Sequence, residues 1–241
     1  MKKVILLPLM AFVALISLTG CLGDKGNMTS SYGTGSILYL HNTPCVRLDN
    51  INLCLTGADI PVLQDSIARA MVSYTIDWDN QPATASTTNI YEATFAAVNT
   101  WAIEPITEIS EEYKFSETDT IRNLAQPFIT YATEQTPNML TMNVRLYASE
   151  GELELIQKNK PADEFYSGVS SDTLIVSYTA EKISSDTRDR WYTFELPEYP
   201  KSVTSLTLIF KSAERTGFSA VYKADLGGYI YTMSTRFTDK Q

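Results

Sequence analysis

Leu140-Thr141-Met142-Asn143-Val144-Arg145-Leu146-Tyr147 alternates apolar and polar residues without a break. Side chains of a strand point alternately to opposite faces. This octapeptide therefore sets Leu140, Met142, Val144 and Leu146 on a face that seeks burial, opposite Thr141, Asn143, Arg145 and Tyr147. The same pattern recurs downstream in Leu174, Val176 and Tyr178, and again in Tyr192, Phe194 and Leu196. Leu206, Leu208 and Phe210 repeat it, as do Tyr229, Tyr231 and Met233. With the turn-rich stretches between them, these segments predict about seven short strands in an antiparallel β-sandwich. No helix of three turns is visible in this half.

Upstream, the clearest alternation places Ala70, Val72, Tyr74, Ile76 and Trp78 against Met71, Ser73, Thr75 and Asp77. Ile37–Leu40, Ile90–Val98 and Trp101–Ile106 read as further strands. Pro61 to Ala68 suits a short helix that starts at the proline. Gln81 to Asn89 is a polar loop. Glu108 to Thr120 is acidic, with little apolar period, and marks a boundary between two β domains.

The N-terminus carries a separate message. Lys2 and Lys3 precede the apolar run Val4 to Ile16, and Leu18-Thr19-Gly20 leads into Cys21. That order is a secretory signal, too short for a membrane-spanning helix. The tetrapeptide ending at Cys21 resembles the bacterial lipobox. Residues 1–20 are thus a lipoprotein signal peptide, with lipidation expected at Cys21, and the acyl chains would form a firm membrane anchor. Leu22 to Thr34, rich in Gly, Ser, Asn and Thr, reads as a flexible tether. The formal charge of −9 becomes −11 once residues 1–20 are removed, because two lysines leave and no acid does. A chain this acidic repels nucleic acid, so the expected partners are the membrane, through the anchor, and a protein or glycan.

Cys45 and Cys54 flank Val46-Arg47-Leu48-Asp49-Asn50-Ile51-Asn52-Leu53. If Asp49-Asn50 is a two-residue hairpin turn, 45 and 54 face each other in a non-hydrogen-bonded pair. Their Cα atoms would then be about 4.5 Å apart, within reach of a disulfide. Export to an oxidising compartment permits that bond, so a Cys45–Cys54 disulfide is expected.

Several of these segments together resemble the NigD-like lipoproteins of gut and oral anaerobes. They are Cys45-Val46-Arg47-Leu48-Asp49-Asn50, Arg69-Ala70-Met71-Val72-Ser73-Tyr74-Thr75-Ile76, Asp172-Thr173-Leu174-Ile175-Val176-Ser177-Tyr178 and Trp191-Tyr192-Thr193-Phe194-Glu195-Leu196. The resemblance covers roughly residues 35–235 and rests on residue type rather than invariant signatures. It implies an all-β chain, with an N-terminal OB-like barrel followed by a C-terminal antiparallel β-sandwich. The expected divisions are 1–20 for the signal peptide, 21–34 for the tether, 35–112 for the barrel domain and 113–241 for the sandwich domain. It also implies an outer-membrane lipoprotein, facing the periplasm or the cell surface. Surface-exposed relatives often carry an acidic cluster after the lipidated cysteine, whereas Leu22-Gly23-Asp24-Lys25 holds one acid and a lysine. Gene context has suggested bacteriocin immunity for this family.

Reactive groups are sparse. His41 is the single histidine, which excludes multi-histidine metal sites, and no nucleophile elbow, phosphate loop or Cys-x-x-Cys motif occurs. The expectation is no catalytic residue, no metal and no cofactor. Asp77-Trp78-Asp79-Asn80 lacks the later glycine and glutamate of a calcium loop and reads as a strand-end bend. Phe, Trp and Tyr make up 26 of 241 residues; Trp78, Trp101 and Trp191 are candidate ligand-facing aromatics, although ordinary strand packing also enriches aromatics in strands. Asp65-Ser66-Ile67, Asp119-Thr120-Ile121 and Asp172-Thr173-Leu174 resemble the Asp-Ser/Thr-apolar acceptor of O-glycosylation, nominating Ser66, Thr120 and Thr173. The function expected is a non-enzymatic, envelope-anchored binding module. A fimbrial or adhesin-type subunit and a bacteriocin-immunity-like protein are the alternatives.

Overall fold

In the computed structural model the described residues are 26–49, 51, 53–61, 67–110, 113, 115, 121–158, 171–199, 205–213 and 219–225. The signal peptide, Cys21, Ser66, Thr120, most of the helix expected over 61–68 and the strand expected at Tyr229–Met233 lie outside them. The chain is all-β, as the alternation requires. Its strands are β1 (Met28–Leu40), β2 (Thr43–Leu48), β3 (Cys54–Thr56), β4 (Ala68–Asp77), β5 (Ile90–Trp101), β6 (Ile103–Glu104), β7 (Thr107–Ile109), β8 (Ile121–Thr130), β9 (Met139–Lys158), β10 (Ser171–Glu195), β11 (Ser205–Lys211) and β12 (Ser219–Asp225). A 3-10 turn (Trp78–Asn80) follows β4. A one-turn helix, α1 (Ala85–Thr88), sits in the expected polar loop and ends at Asn89, whose φ of 57° stops it in the left-handed region.

Two compact units divide the chain. One falls within Met1–Gly35, Tyr39–Val62 and Met71–Asn99, the other within Ser36–Leu38, Leu63–Ala70 and Thr100–Gln241. The main division thus lies near residue 100 rather than at the expected 112/113. Hydrogen bonding explains the difference. β6 pairs with Thr193 and Phe194 of β10, and β7 pairs with Ile156 to Lys158 of β9, so both short strands extend the later sheet.

The first five strands close in the order β1-β2-β3-β5-β4, with β3 and β5 parallel. β4 behaves as its sequence dictates: Ala70, Val72, Tyr74 and Ile76 are buried, and Met71, Ser73, Thr75 and Asp77 are not. Trp78 leaves the alternation by entering the 3-10 turn. The expected tether is shorter than read, because residues 28–34 already belong to β1. Polar residues there do not prevent pairing: the Trp78 amide donates to Asn27 O at 2.9 Å, and the Ser30 and Thr75 hydroxyls share a 2.8 Å bond. β1 turns into β2 through His41 and Asn42, both at positive φ (50° and 64°), the geometry of a type I′ hairpin.

The β2–β3 hairpin corrects the sequence reading. Arg47 faces Cys54 and Val46 faces Leu55, two residues out of the expected register. The loop is wider than Asp49-Asn50 because the Asp49 amide donates to Thr34 O on β1, and Leu48 closes the hairpin on Leu53 O. Cys45 and Cys54 are therefore diagonal rather than opposite. Diagonal positions lie about 7–8 Å apart, beyond the usual disulfide reach. Both cysteines are free and buried, so the expected disulfide is not formed.

The second unit is one seven-stranded sheet, ordered β12-β11-β10-β9-β7, with β6 against β10 and β8 against β9. It is mixed rather than purely antiparallel: β10 runs antiparallel to β9 but parallel to β11 and β6. The segments 174–178 and 192–196, expected as separate strands, fall at the two ends of β10, which stops at Glu195. This strand pairs with β9 from Leu174↔Gln157 to Glu195↔Met139, with irregular register between Ala180 and Arg188. Leu140, Met142, Val144, Leu146 and Ala148 pack into the core from one end of β9, Leu153 and Leu155 from the other. The inward parity switches from even to odd because the ladder skips a residue between Ala148 and Glu150. Gly151, at φ 147°, stands beside that skip. One core thus takes side chains from both ends of two long strands, and Tyr178, Phe194 and Phe210 are at most 1% exposed within it. Burying each such side chain stabilises the fold by about 1.5–3 kcal/mol.

Candidate functional site

Residues on β9 that do not enter the core build the opposite face of the sheet. Thr141, Asn143, Arg145 and Tyr147 alternate with the core residues, so all four turn outward. Register on β10 sets Thr193, Trp191 and Asp189 beside the first three, and register on β8 sets Phe128, Ala125 and Asn123 on their other side. The result is three rows of three residues across three strands.

The first row is closed. Thr141 and Thr193 are both 0% exposed, and their hydroxyls share a 2.9 Å hydrogen bond. The Trp101 indole N–H donates to Thr193 Oγ1 at 2.9 Å, holding that ring against the sheet. Trp101 also stacks on Trp191, with ring centroids 5.9 Å apart and planes 22° from parallel. The third row is open. Arg145 Nε and Nη2 donate to the two carboxylate oxygens of Asp189 at 2.7 and 2.8 Å, a bidentate pair whose side chains are 48% and 45% exposed. The guanidinium beside Asp189 holds its carboxyl below the usual carboxylate range, and the carboxylate in turn raises Arg145. Beyond this pair the Arg122 guanidinium lies 5.7 Å from the Tyr147 ring centroid, a cation–π contact. Between the two ends sit Asn143 and Trp191, each partly exposed.

The sequence-predicted residues are distributed unevenly. Trp101 and Trp191 meet here. Trp78 does not: it packs edge-on against Tyr91 (5.6 Å) and donates from its indole to Thr29 Oγ1 at 2.9 Å, within the first unit. Cys45 and Cys54 interact as thiols. A hydrogen bond from Cys45 lowers the Cys54 thiol, and the same bond, with burial, pushes Cys45 up. Thr173 is exposed on β10, but Asp172 before it is 1% exposed and accepts from Gln157 and from the Thr173 amide. An enzyme that must read that carboxylate would find it already enclosed. Asp77 caps the 3-10 turn, accepting from the Asp79 amide and the Asn80 carboxamide, while Asp79 accepts from the Asn27 amide. These carboxylates serve the bend. His41 is exposed in its tight turn. Among the described residues, no three His, Cys, Asp or Glu side chains are placed to share a metal ion, and no helix is long and apolar enough to cross a membrane.

The sequence patterns did not single out Asn143 or Arg145. The outward half of the 140–147 alternation was the available signal. Which β10 residues stand beside it depends on a register that runs through an irregular stretch.

An all-β chain with an open aromatic and polar sheet face belongs to no chemistry by fold alone. Solved structures give the fold its company. A candidate lipoprotein of Bacteroides fragilis NCTC 9343 superposes with a TM-score of 0.52 at 12% identity, covering 82% of this chain and 98% of its own. An uncharacterized protein of Parabacteroides merdae ATCC 43184 gives 0.54 at 12% identity, over 80% and 95%. A DUF1344 protein of unknown function from Bacteroides vulgatus ATCC 8482 gives 0.54 at 13% identity, over 82% and 90%. At such identities the likeness is one of fold. No family model matches the sequence, and no curated protein does.

Proposed function

We propose that this chain is a non-enzymatic lipoprotein of the bacterial outer membrane, held by lipid on Cys21, whose second unit is a binding module. The observation that carries the anchoring is the ordered run of Lys2-Lys3, an apolar stretch and Leu18-Thr19-Gly20-Cys21. The B. fragilis protein of like fold, a candidate lipoprotein, supports it. The OB-like character of the first unit and the NigD-like assignment belong to the same reading, supported by the five-strand closure and the parallel β3–β5 pair. Binding rather than catalysis is favoured by the open face of the second unit. It offers an ion pair, a carboxamide and indole rings, groups that hold a ligand rather than attack one. The adhesin-type alternative, with a basic site cut to free a donor strand, fits less well. Arg47 lies in β2, and Arg69 is 0% exposed and donates to Ser36 Oγ at 2.8 Å.

Metabolic labelling with an alkyne fatty acid tests the anchor in the host or a Gram-negative surrogate. The expected result is label on the wild-type protein and none on Cys21→Ala. A wild-type chain exported and cut without label would overturn the reading. Protease shaving of intact cells, with a periplasmic marker, then decides between the cell surface and the periplasm.

A further inference from the structure

The outward face of β8, β9 and β10 has the chemistry of a sugar subsite. We propose that it binds a neutral carbohydrate, with a pyranose ring on Trp191 and its hydroxyls held by Asn143, Arg145 and Asp189. The inference rests on the binding-module reading above and names its ligand.

A sugar presents apolar C–H faces ringed by hydroxyls that both donate and accept. Its binder needs an aromatic face beside side chains with both capacities. Trp191 is directly opposite Asn143 in the β9–β10 ladder, and Asp189 is directly opposite Arg145. Facing pairs have Cβ atoms about 4.5–5.5 Å apart, and the next row along a strand lies about 6.7 Å away. Ring and hydrogen-bonding groups are thus within one sugar of each other. Stacking on Trp101, itself tied to Thr193, orients the Trp191 ring in advance.

The hydrogen-bonding capacity is unspent. Among the described residues neither the Asn143 carboxamide nor the Trp191 indole N–H has a hydrogen-bond partner. The Arg145–Asp189 pair uses two of the guanidinium's five N–H groups and one lone pair on each carboxylate oxygen, so both can engage vicinal hydroxyls without separating. Because this ion pair cancels its own charge, the two rows formed by Asn143, Trp191, Arg145 and Asp189 carry no net charge, and Arg122 lies beyond them against the Tyr147 ring. The chain's net charge of −9 disfavours acidic polymers as well. Charge complementarity therefore selects a neutral ligand, and the polar groups select a hydroxylated one over an apolar peptide.

The test uses the full mature chain, purified in detergent. Isothermal titration would be run against neutral fragments of starch, β-glucan, mannan, xylan and mucin-type glycans, with oligogalacturonate and a heparin hexasaccharide as acidic comparators. Saturable binding of a neutral fragment is expected. It should weaken about tenfold or more in Asn143→Ala and in Trp191→Ala and stay unchanged in Trp78→Phe. Circular dichroism controls for folding, and Asn143→Ala decides should Trp191→Ala unfold. Binding confined to acidic fragments would overturn the proposal, as would neutral binding indifferent to Asn143→Ala. No binding across the panel would overturn it too. A photo-crosslinker at exposed Ala125, on the same face, separates the two readings in cells. A protein adduct there would sink the glycan and keep the binding module. Silence in both assays would remove both.

Discussion

Asp189 shows how far one residue's behaviour depends on its neighbour across the ladder. Its lowered pKa comes from the two hydrogen bonds of Arg145. A carboxylate depressed in the folded state contributes stability that is present above its unfolded pKa of about 3.9 and is lost as pH falls through the folded value. In Arg145→Ala, carboxyl-detected NMR titration should find Asp189 back near the ordinary aspartate range, with the acid side of the stability profile flatter. The cysteines make a second residue-scale prediction. In Cys21→Ala, both Cys45 and Cys54 should label fully on unfolding without reductant, because their diagonal placement leaves the thiols unbridged. A mass two hydrogens lower with no labelling would show that the hairpin adopts the other register. That register was the step sequence could not supply. A slip of two residues keeps every side chain on its own face, so hydrophobic patterning does not distinguish the two pairings.

Among the elements, β9 and β10 show the same limit over a longer range. Alternation over 140–147 identified a strand and its buried face correctly, and the buried residues Leu174, Val176, Tyr178, Phe194 and Leu196 follow their patterns too. The joining of two patterned segments into one 25-residue strand was hidden, because Glu181 to Arg190 is polar but for Ile183 and carries no period. Pairing with β9 holds Lys182, Ile183 and Arg188 to Arg190 there, with the register broken between Ile183 and Arg188. Gly151 is the element-scale weak point. At φ 147° an L side chain is strained, and a Cβ would meet the carbonyl of Thr179 and lie 2.8 Å from the Tyr178 hydroxyl. Gly151→Ala should therefore cost about 1–3 kcal/mol in urea unfolding, a lower midpoint at unchanged slope. An unchanged midpoint would mean the bend relaxes without cost.

For the whole molecule, the early start of β1 matters most. Seven residue steps separate Cys21 from Met28, a span of at most about 25 Å even fully extended. If lipid holds Cys21, the start of β1 stays close to the membrane whichever face of the outer membrane it occupies. A dye on Tyr32→Cys, at a position 81% exposed, should transfer energy efficiently to acceptor lipids in proteoliposomes. Insertion of a flexible Gly/Ser stretch after Lys25 should reduce that transfer. Efficiency unaffected by the insertion would place the dye near the bilayer for some reason other than the tether.

What the sequence determined by itself was the all-β class and the inward residues of most strands. These follow from local alternation, which each segment carries in its own side chains. Tertiary structure alone decided the β2–β3 register, the parity switch in β9, the assignment of β6 and β7 to the second unit, and the row that sets Trp191 by Asn143 and Asp189 by Arg145. Each of those is a choice of partner rather than of face. Partners are chosen by hydrogen bonds and packing between residues far apart in the chain, to which a period of two is blind.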